Sequence, residues 1–264
     1  GQLVAQLDGV AFARITHSAD VEDEGLATQP ELLRLRWQRA DLSGTPAPRL
    51  FALLGEDPAL VRQLAAALAA RGQGGAEHPS PWDAGADALA GWISDLQARA
   101  PDGRCHLVYL VTTPVDPGAA EVPASHLGLL HLVQAAGRSA HHATLRLDVV
   151  TRGTQRVAGE PVTGVAEAGL WGLSRVAASE YPDLGQTRID LDPEAGEADL
   201  ADLAACLIAA PPGEDLALRR GVCFAARLVA DRPAEPEHPI ELPQFDGHPP
   251  GPGEVIIDVV ASGL

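Results

Sequence analysis

Leu145–Asp192 reads LRLDVVTRGTQRVAGEPVTGVAEAGLWGLSRVAASEYPDLGQTRIDLD. Leu145, Leu147 and Val149 alternate with Arg146 and Asp148, the period of two that marks a strand. Thr151-Arg152-Gly153 makes a turn. One long amphipathic helix is predicted next, with Val162, Val165, Gly169, Leu170 and Leu173 in a single stripe. Gly169 and Gly172 are expected to permit close approach of that helix to a sheet. Thr187–Asp192 is a second strand, so the block is a strand–helix–strand unit.

The same alternation extends on both sides. Leu32–Gln38 reads as a strand, and Arg49–Gly55 as a buried strand running into the helix DPALVRQLAAALAARG. Leu60, Val61, Leu64 and Leu68 form its apolar face, with Asp57 as N-cap and Pro58 at the first helical position. Gly72–Pro81 is expected to be a loop leading to a helix near Gly85–Arg99. Cys105–Pro114 is near-continuously apolar, as in a parallel sheet covered on both faces. Helices are predicted over Ala124–Ala136 and Glu197–Ala210, and the segments EDLALRRG and VCFAARLV close the pattern as a hairpin. Alternating strands and helices give an α/β class: a doubly wound, Rossmann-like, mostly parallel sheet.

Composition limits the function. A net charge of −17 argues against a nucleic-acid or anionic-membrane surface. No apolar run reaches the ~18 residues of a membrane span. The opening GQLVAQLDGVAF has no basic n-region and no long apolar h-region, so no secretory signal is expected in it, and a cytoplasmic setting is. The sequence starts on Gly, holds no Met and ends within a strand pattern (Glu254–Val260), so a segment of a longer polypeptide is expected. All 19 basic residues are Arg. A chain without lysine has no Schiff-base amine, no phosphate-loop lysine and no Tyr-x-x-x-Lys pair. Cys105, Cys206 and Cys223 are widely spaced in sequence and odd in number, which predicts reduced, mostly buried thiols rather than a disulfide framework or a zinc site.

Each candidate chemistry meets a plainer alternative. Dinucleotide binding needs glycines at the first strand-to-helix turn, so that backbone N–H groups meet the pyrophosphate. That turn here is Gly55-Glu56-Asp57-Pro58, which puts two carboxylates where phosphates would lie. Like charges at ~4 Å cost about 1 kcal/mol in water and several at a protein surface. Thr113-Pro114-Val115-Asp116-Pro117 and Thr151-Arg152-Gly153 offer no better cradle. Tyr109 lies within an apolar strand and Tyr181 at a helix end, both expected to pack with satisfied hydroxyls. His126 and His131, five apart, diverge by ~140° on a helix, and His141 and His142 are adjacent, so surface or helix-end roles are expected. Gly172-Leu173-Ser174-Arg175 sits mid-helix, where a nucleophile elbow cannot form. Asp190 and Asp192 share a strand face beside Pro193 and are read as a solvated turn. Trp171 and Arg175, four apart, suit a cation–π contact or domain packing.

The 145–192 block, its LWGLSR segment and the closing EDLALRRG…ARLV resemble the structural, non-catalytic half of the ketoreductase region in modular polyketide synthases and related fatty acid synthases. The strand LLRLRWQ resembles the L-Y-R-x-x-W opening of that half. Residues 1–16 resemble the last strand of a dehydratase and residues 254–264 the first strand of an enoylreductase, with linkers at 17–29 and 233–253 and the ketoreductase subdomain at 30–232. The resemblance implies a truncated fold without a cofactor site and with no catalytic, cofactor-binding or metal residue of its own. It implies a scaffold that packs on the catalytic ketoreductase half and positions dehydratase and enoylreductase while the acyl carrier protein presents its acyl chain. The parent would be a homodimeric, NADPH- and phosphopantetheine-dependent transferase and oxidoreductase. The alternatives are a self-standing NADP-dependent short-chain-type reductase and a pseudo-ketoreductase of an iterative fatty-acid-type synthase.

Overall fold

The computed structural model describes residues 33–42, 49–78, 84–100, 102–112, 123–157, 159–194 and 199–230. The expected dehydratase-like strand, both linkers, the enoylreductase-like strand and the Thr113–Pro117 turn lie outside them. Arg34–Val229 forms one unit, and all that follows concerns it.

In chain order the elements are β1 (Leu33–Arg39), β2 (Leu50–Gly55), α1 (Pro58–Ala69), β3 (Gly74–His78), α2 (Ala86–Arg99), β4 (Cys105–Leu110) and α3 (Ala124–Gly137), followed by β5 (Leu145–Arg152), α4 (Ala168–Glu180), β6 (Gly185–Leu191), α5 (Asp199–Ala209), β7 (Asp215–Arg219) and β8 (Val222–Ala230). They build one eight-stranded sheet of order β1-β8-β7-β6-β5-β4-β2-β3. Strands β3, β2, β4, β5, β6 and β7 run parallel, and β8 returns antiparallel to β7. The predicted Rossmann-like α/β sheet is therefore present. The hairpin turn places Arg220 and Gly221 at φ 50° and 77°, the left-handed pair that matches strand twist.

Strand alternation sorts the core into two layers. Phe51, Leu53, Val108, Leu110, Val150 and Ile189 face α1 and α5. Ala52, Leu54, Leu107, Tyr109, Leu147 and Val149 face α2, α3 and α4. With helices on both faces, every residue of β4 is buried, which is why that strand reads as a continuous apolar run. The face assigned to α1 is confirmed at Val61, Leu64 and Leu68. Asp57 caps this helix, its Oδ1 accepting from the amides of Ala59 and Leu60 at 2.8 and 3.2 Å.

Three sequence expectations require correction. Gly72–Pro81 is not all loop: Gly74–His78 is β3, the sheet's edge strand, recruited by parallel pairing to β2 despite a glycine-rich sequence without alternation. The long helix after β5 starts only at Ala168. Before it, the amides of Thr163 and Gly164 both bond the carbonyl of Gly153, which brings 163–164 back to the end of β5. Val165 is accordingly exposed, and the buried face of α4 is Leu170, Trp171, Ser174 and Ala177. Finally, Gly169 approaches a helix rather than the sheet, since a Cβ there would lie 2.6 Å from Nε2 of His126 on α3, while Gly172 faces open space. No helix among the described residues is long and apolar enough to cross a membrane.

Candidate functional site at the carboxyl edge of the sheet

Ligands of doubly wound sheets lie beyond the carboxyl ends of the strands, which here are the ends of β2, β5, β6 and β7. At β2, Gly55 leaves no room for a side chain, because a Cβ would meet Val61 Cγ2 at 2.8 Å. Its glycine thus serves strand-to-helix packing, and the amides at the start of α1 are held by Asp57.

At the ends of β5 and β6 the chain holds a buried polar network centred on Asp190, which is fully buried. The expected solvated turn is incorrect for this residue. Oδ1 of Asp190 accepts from the Thr154 amide (2.8 Å), the Thr154 hydroxyl (2.7 Å) and the Thr151 hydroxyl (2.9 Å). Oδ2 accepts from the Gln155 amide at 3.2 Å and from Arg219 Nη2 at 2.6 Å. Arg219 also bonds the carbonyls of Gln155 and Asp190 and pairs with Glu160. Trp171 donates its indole N–H to Thr151 at 2.9 Å. A buried carboxylate tolerates burial only when its lone pairs are this fully used. Asp192, by contrast, does form a turn, accepting from the Glu194 amide. Beside the network, a cavity of about 560 Å³ opens between Pro161, Pro193, Glu194, Arg220 and Phe224.

The remaining sequence candidates take structural places. Tyr109 is buried and its hydroxyl donates to the Ser125 carbonyl at 2.6 Å; burial, with the Glu56 carboxylate nearby, pushes its phenol well up. Tyr181 caps α4 and lies against Gly137, where a Cβ would come within 2.5 Å of its ring. Ser174 is fully buried, accepting from Arg188 and bonding Gln186. His126 is partly buried, and desolvation lowers its pKa against an opposing pull from Glu167. Among the described residues no three potential ligands converge on a metal position. Arg175 stacks over Trp171 at 5.6 Å as expected and also reaches Asp215 at 2.7 Å; Trp37 of β1 meets Trp171 edge-on at 6.4 Å.

Two features escaped sequence reasoning. Cys206 and Cys223, 17 positions apart, line one cavity; all three thiols are free. On the α1/α5 face, Arg146 and Asp148 pair at 2.7 Å with His106 alongside. The signal was available: charged residues at interior positions of a parallel strand must find buried partners.

Outside the core, Leu127 and Leu130 on α3, Val176 on α4 and Val165 just before α4 are exposed large apolar side chains, and the two helices lie on the same side of the sheet.

Comparison with known proteins places this geometry. Residues 35–228 fit the model of the Rossmann fold domain of the polyketide synthase extender module SpnB. The spectinabilin polyketide synthase system protein NorB of Streptomyces orinoci is 35% identical over 209 residues, 78% of the chain and 9% of NorB. The phthioceranic/hydroxyphthioceranic acid synthase of Mycobacterium tuberculosis (strain ATCC 25618 / H37Rv) is 33% identical over 145 residues, 46% of the chain and 7% of the synthase. The chain thus spans less than a tenth of the length of either. Among solved structures, a C2-type ketoreductase from a modular polyketide synthase superposes with a TM-score of 0.59 at 28% identity, covering 76% of this chain and 44% of the ketoreductase. An A1-type ketoreductase gives 0.57 at 28%, covering 78% and 43%. The chain belongs to the family of the polyketide synthase extender-module Rossmann fold domain, and its sheet is that of the ketoreductase region.

Proposed function

We propose that the chain is the structural, non-catalytic half of a ketoreductase region, a truncated doubly wound domain that holds no dinucleotide. The observation that carries this reading is the Asp57 cap. The amides that would receive a pyrophosphate already receive a carboxylate of the chain itself, and Pro58 supplies no N–H. The residues present do not fit a dinucleotide, and no step is derived through one. The absence of lysine and the packing roles of Tyr109 and Tyr181 support the same conclusion, since no phenol stands beside a lysine as a proton donor.

The role that remains is mechanical. The exposed apolar residues of α3 and α4 suit docking onto a catalytic half, where full burial of a Leu or Val contributes about 1.5–3 kcal/mol. In that position the domain fixes neighbouring dehydratase and enoylreductase of one polypeptide around an NADPH-using catalytic half, with a phosphopantetheine-bearing acyl carrier protein visiting them. Fluorescence titration of the 264-residue chain with NADPH tests the reading. No saturable binding is expected through the micromolar range; micromolar affinity overturns it in favour of a self-standing reductase.

A further inference from the structure

The opposite edge of the sheet carries a second concavity. At the amino ends of β2, β4, β5 and β6, a cavity of about 240 Å³ is lined by Arg49, Arg104, His106, Thr144, Arg146 and Asp183, among others. Four basic side chains and one carboxylate converge there, in a chain whose net charge is −17.

The floor is fixed and its charges are largely matched. Arg146 and His106 are 7% and 6% exposed. Arg146 directs Nε to Asp148 and Nη2 to the Thr187 hydroxyl at 3.0 Å, and bonds the Ala210 carbonyl through Nη1. The second oxygen of Asp148 faces His106 Nδ1 at 3.4 Å. Nε2 of His106 lies 3.4 Å from Arg49 Nη1. A guanidinium can only donate, so in that contact Nε2 is the accepting side.

Arg49 is left with a surplus charge. It is half-buried, meets no carboxylate among the described residues, and has the His106 ring as its side-chain partner. Its backbone is held in place, the amide donating to Gln73 Oε1 at 3.0 Å and the carbonyl accepting from Gly74. Arg104 stands at the rim, its side chain 71% exposed, in a 3.6 Å contact with Asp102. Asp183, the one acidic lining group among the described residues, is 74% exposed and faces His142 at 3.9 Å.

We propose that this cavity binds a phosphate-class oxyanion, either free phosphate or a phosphate monoester, with Arg49 as anchor and Arg104 closing from the rim. Planar guanidinium forks match such oxygens in pairs. A carboxylate satisfies one fork; two forks converging from the starts of different strands suit an anion with three or more acceptor oxygens. The concavity, floored by buried Arg146 and His106, favours a small ion over a flat acidic surface.

The test is calorimetric titration of the 264-residue chain at low salt with inorganic phosphate, methyl phosphate and acetate, repeated on R49Q and R104Q. Saturable one-to-one phosphate binding is expected, weakened tenfold or more by R49Q and less by R104Q, with acetate far weaker. Tighter binding of methyl phosphate identifies an ester as the ligand, and tighter binding of inorganic phosphate the free ion. Circular dichroism verifies folding, and R104Q, altering an exposed side chain, keeps the test valid should R49Q fail to fold. No saturable phosphate binding, variants that bind like the parent, or acetate binding as well as phosphate each overturn the proposal.

Discussion

Arg146 and Asp148, two residues apart on β5, meet at 2.7 Å within the α1/α5 face, the carboxylate fully buried and the guanidinium nearly so. Removing one partner leaves the other charged and buried, which typically costs about 3–5 kcal/mol. R146A is expected to lower stability by that order, read as a shift of the urea midpoint at neutral pH. A double replacement of both residues by apolar ones of similar volume should recover much of the loss.

The pH dependence follows from the same pair. Burial favours the neutral acid, but the Arg146 charge, with His106, outweighs it and holds the Asp148 carboxyl below its ordinary 3.8. The native state therefore binds this proton less readily than the unfolded chain. The contribution is complete above the unfolded value and disappears as pH falls below 3.8 through the lower folded value. Urea midpoints measured from pH 6 downward should drop in that acid window, and the drop should shrink in the apolar double variant. An unchanged acid slope in that variant would assign the effect elsewhere.

How legible this was in the sequence depended on the kind of residue. Alternating Leu, Val and Ile located β5 and β6 because apolar period reports burial directly. Asp57-Pro58 located the start of α1 because a cap is a local interaction. The edge strand Gly74–His78 was illegible, since Ala76 is its one apolar residue, too little for an alternation, and its pairing depends on β2. The helical stripe starts too early, at Val162, because Val162 and Val165 share helical spacing, while the bonds from Thr163 and Gly164 to the Gly153 carbonyl are formed by backbone alone. The environments of His106 and Asp190 depend on partners 42 and 29 positions away, Asp148 and Arg219, which no local pattern specifies.

The three thiols should differ sharply in reactivity. Desolvation pushes Cys105 up to about 12. A hydrogen bond from the Cys206 thiol holds Cys223 below the usual 9.0, and the same contact together with burial pushes Cys206 up. Thiolate is the reacting species, so iodoacetamide on the native chain should modify Cys223 first. C206A should slow that reaction. Peptide mapping by mass spectrometry reads both outcomes, and equal labelling of Cys105 would contradict the assignment.

Asp190 ties 154–155 and Arg219 to β6. D190A deprives Arg219, whose side chain is 7% exposed, of a carboxylate partner, leaving it Glu160, and releases two backbone amides. A loss of about 3 kcal/mol or more is expected. Hydrogen exchange should accelerate first at Thr154 and Gln155; protection unchanged there would show the loop is held by other means.

Gly172 is the converse case. It lies inside α4 with nothing within 4 Å of a built Cβ, so G172A should stabilise the chain by up to about 1 kcal/mol through helix propensity. A rise in Tm checks this. A fall would mean that the position is already covered in solution.

Strand β5 serves both buried networks, from opposite faces and near opposite ends: Arg146 and Asp148 toward α1 and α5, Thr151 toward Asp190 and the indole of α4. A slip of one residue along its neighbours would carry a guanidinium and a carboxylate into the apolar layer beneath α2 and α3, and would separate Thr151 from its acceptor. Parallel strands of Leu and Val have little of their own to distinguish one alignment from the next. In this sheet the alignment is written in charge, so a substitution that neutralises the pair relaxes the strand's addressing along with its stability.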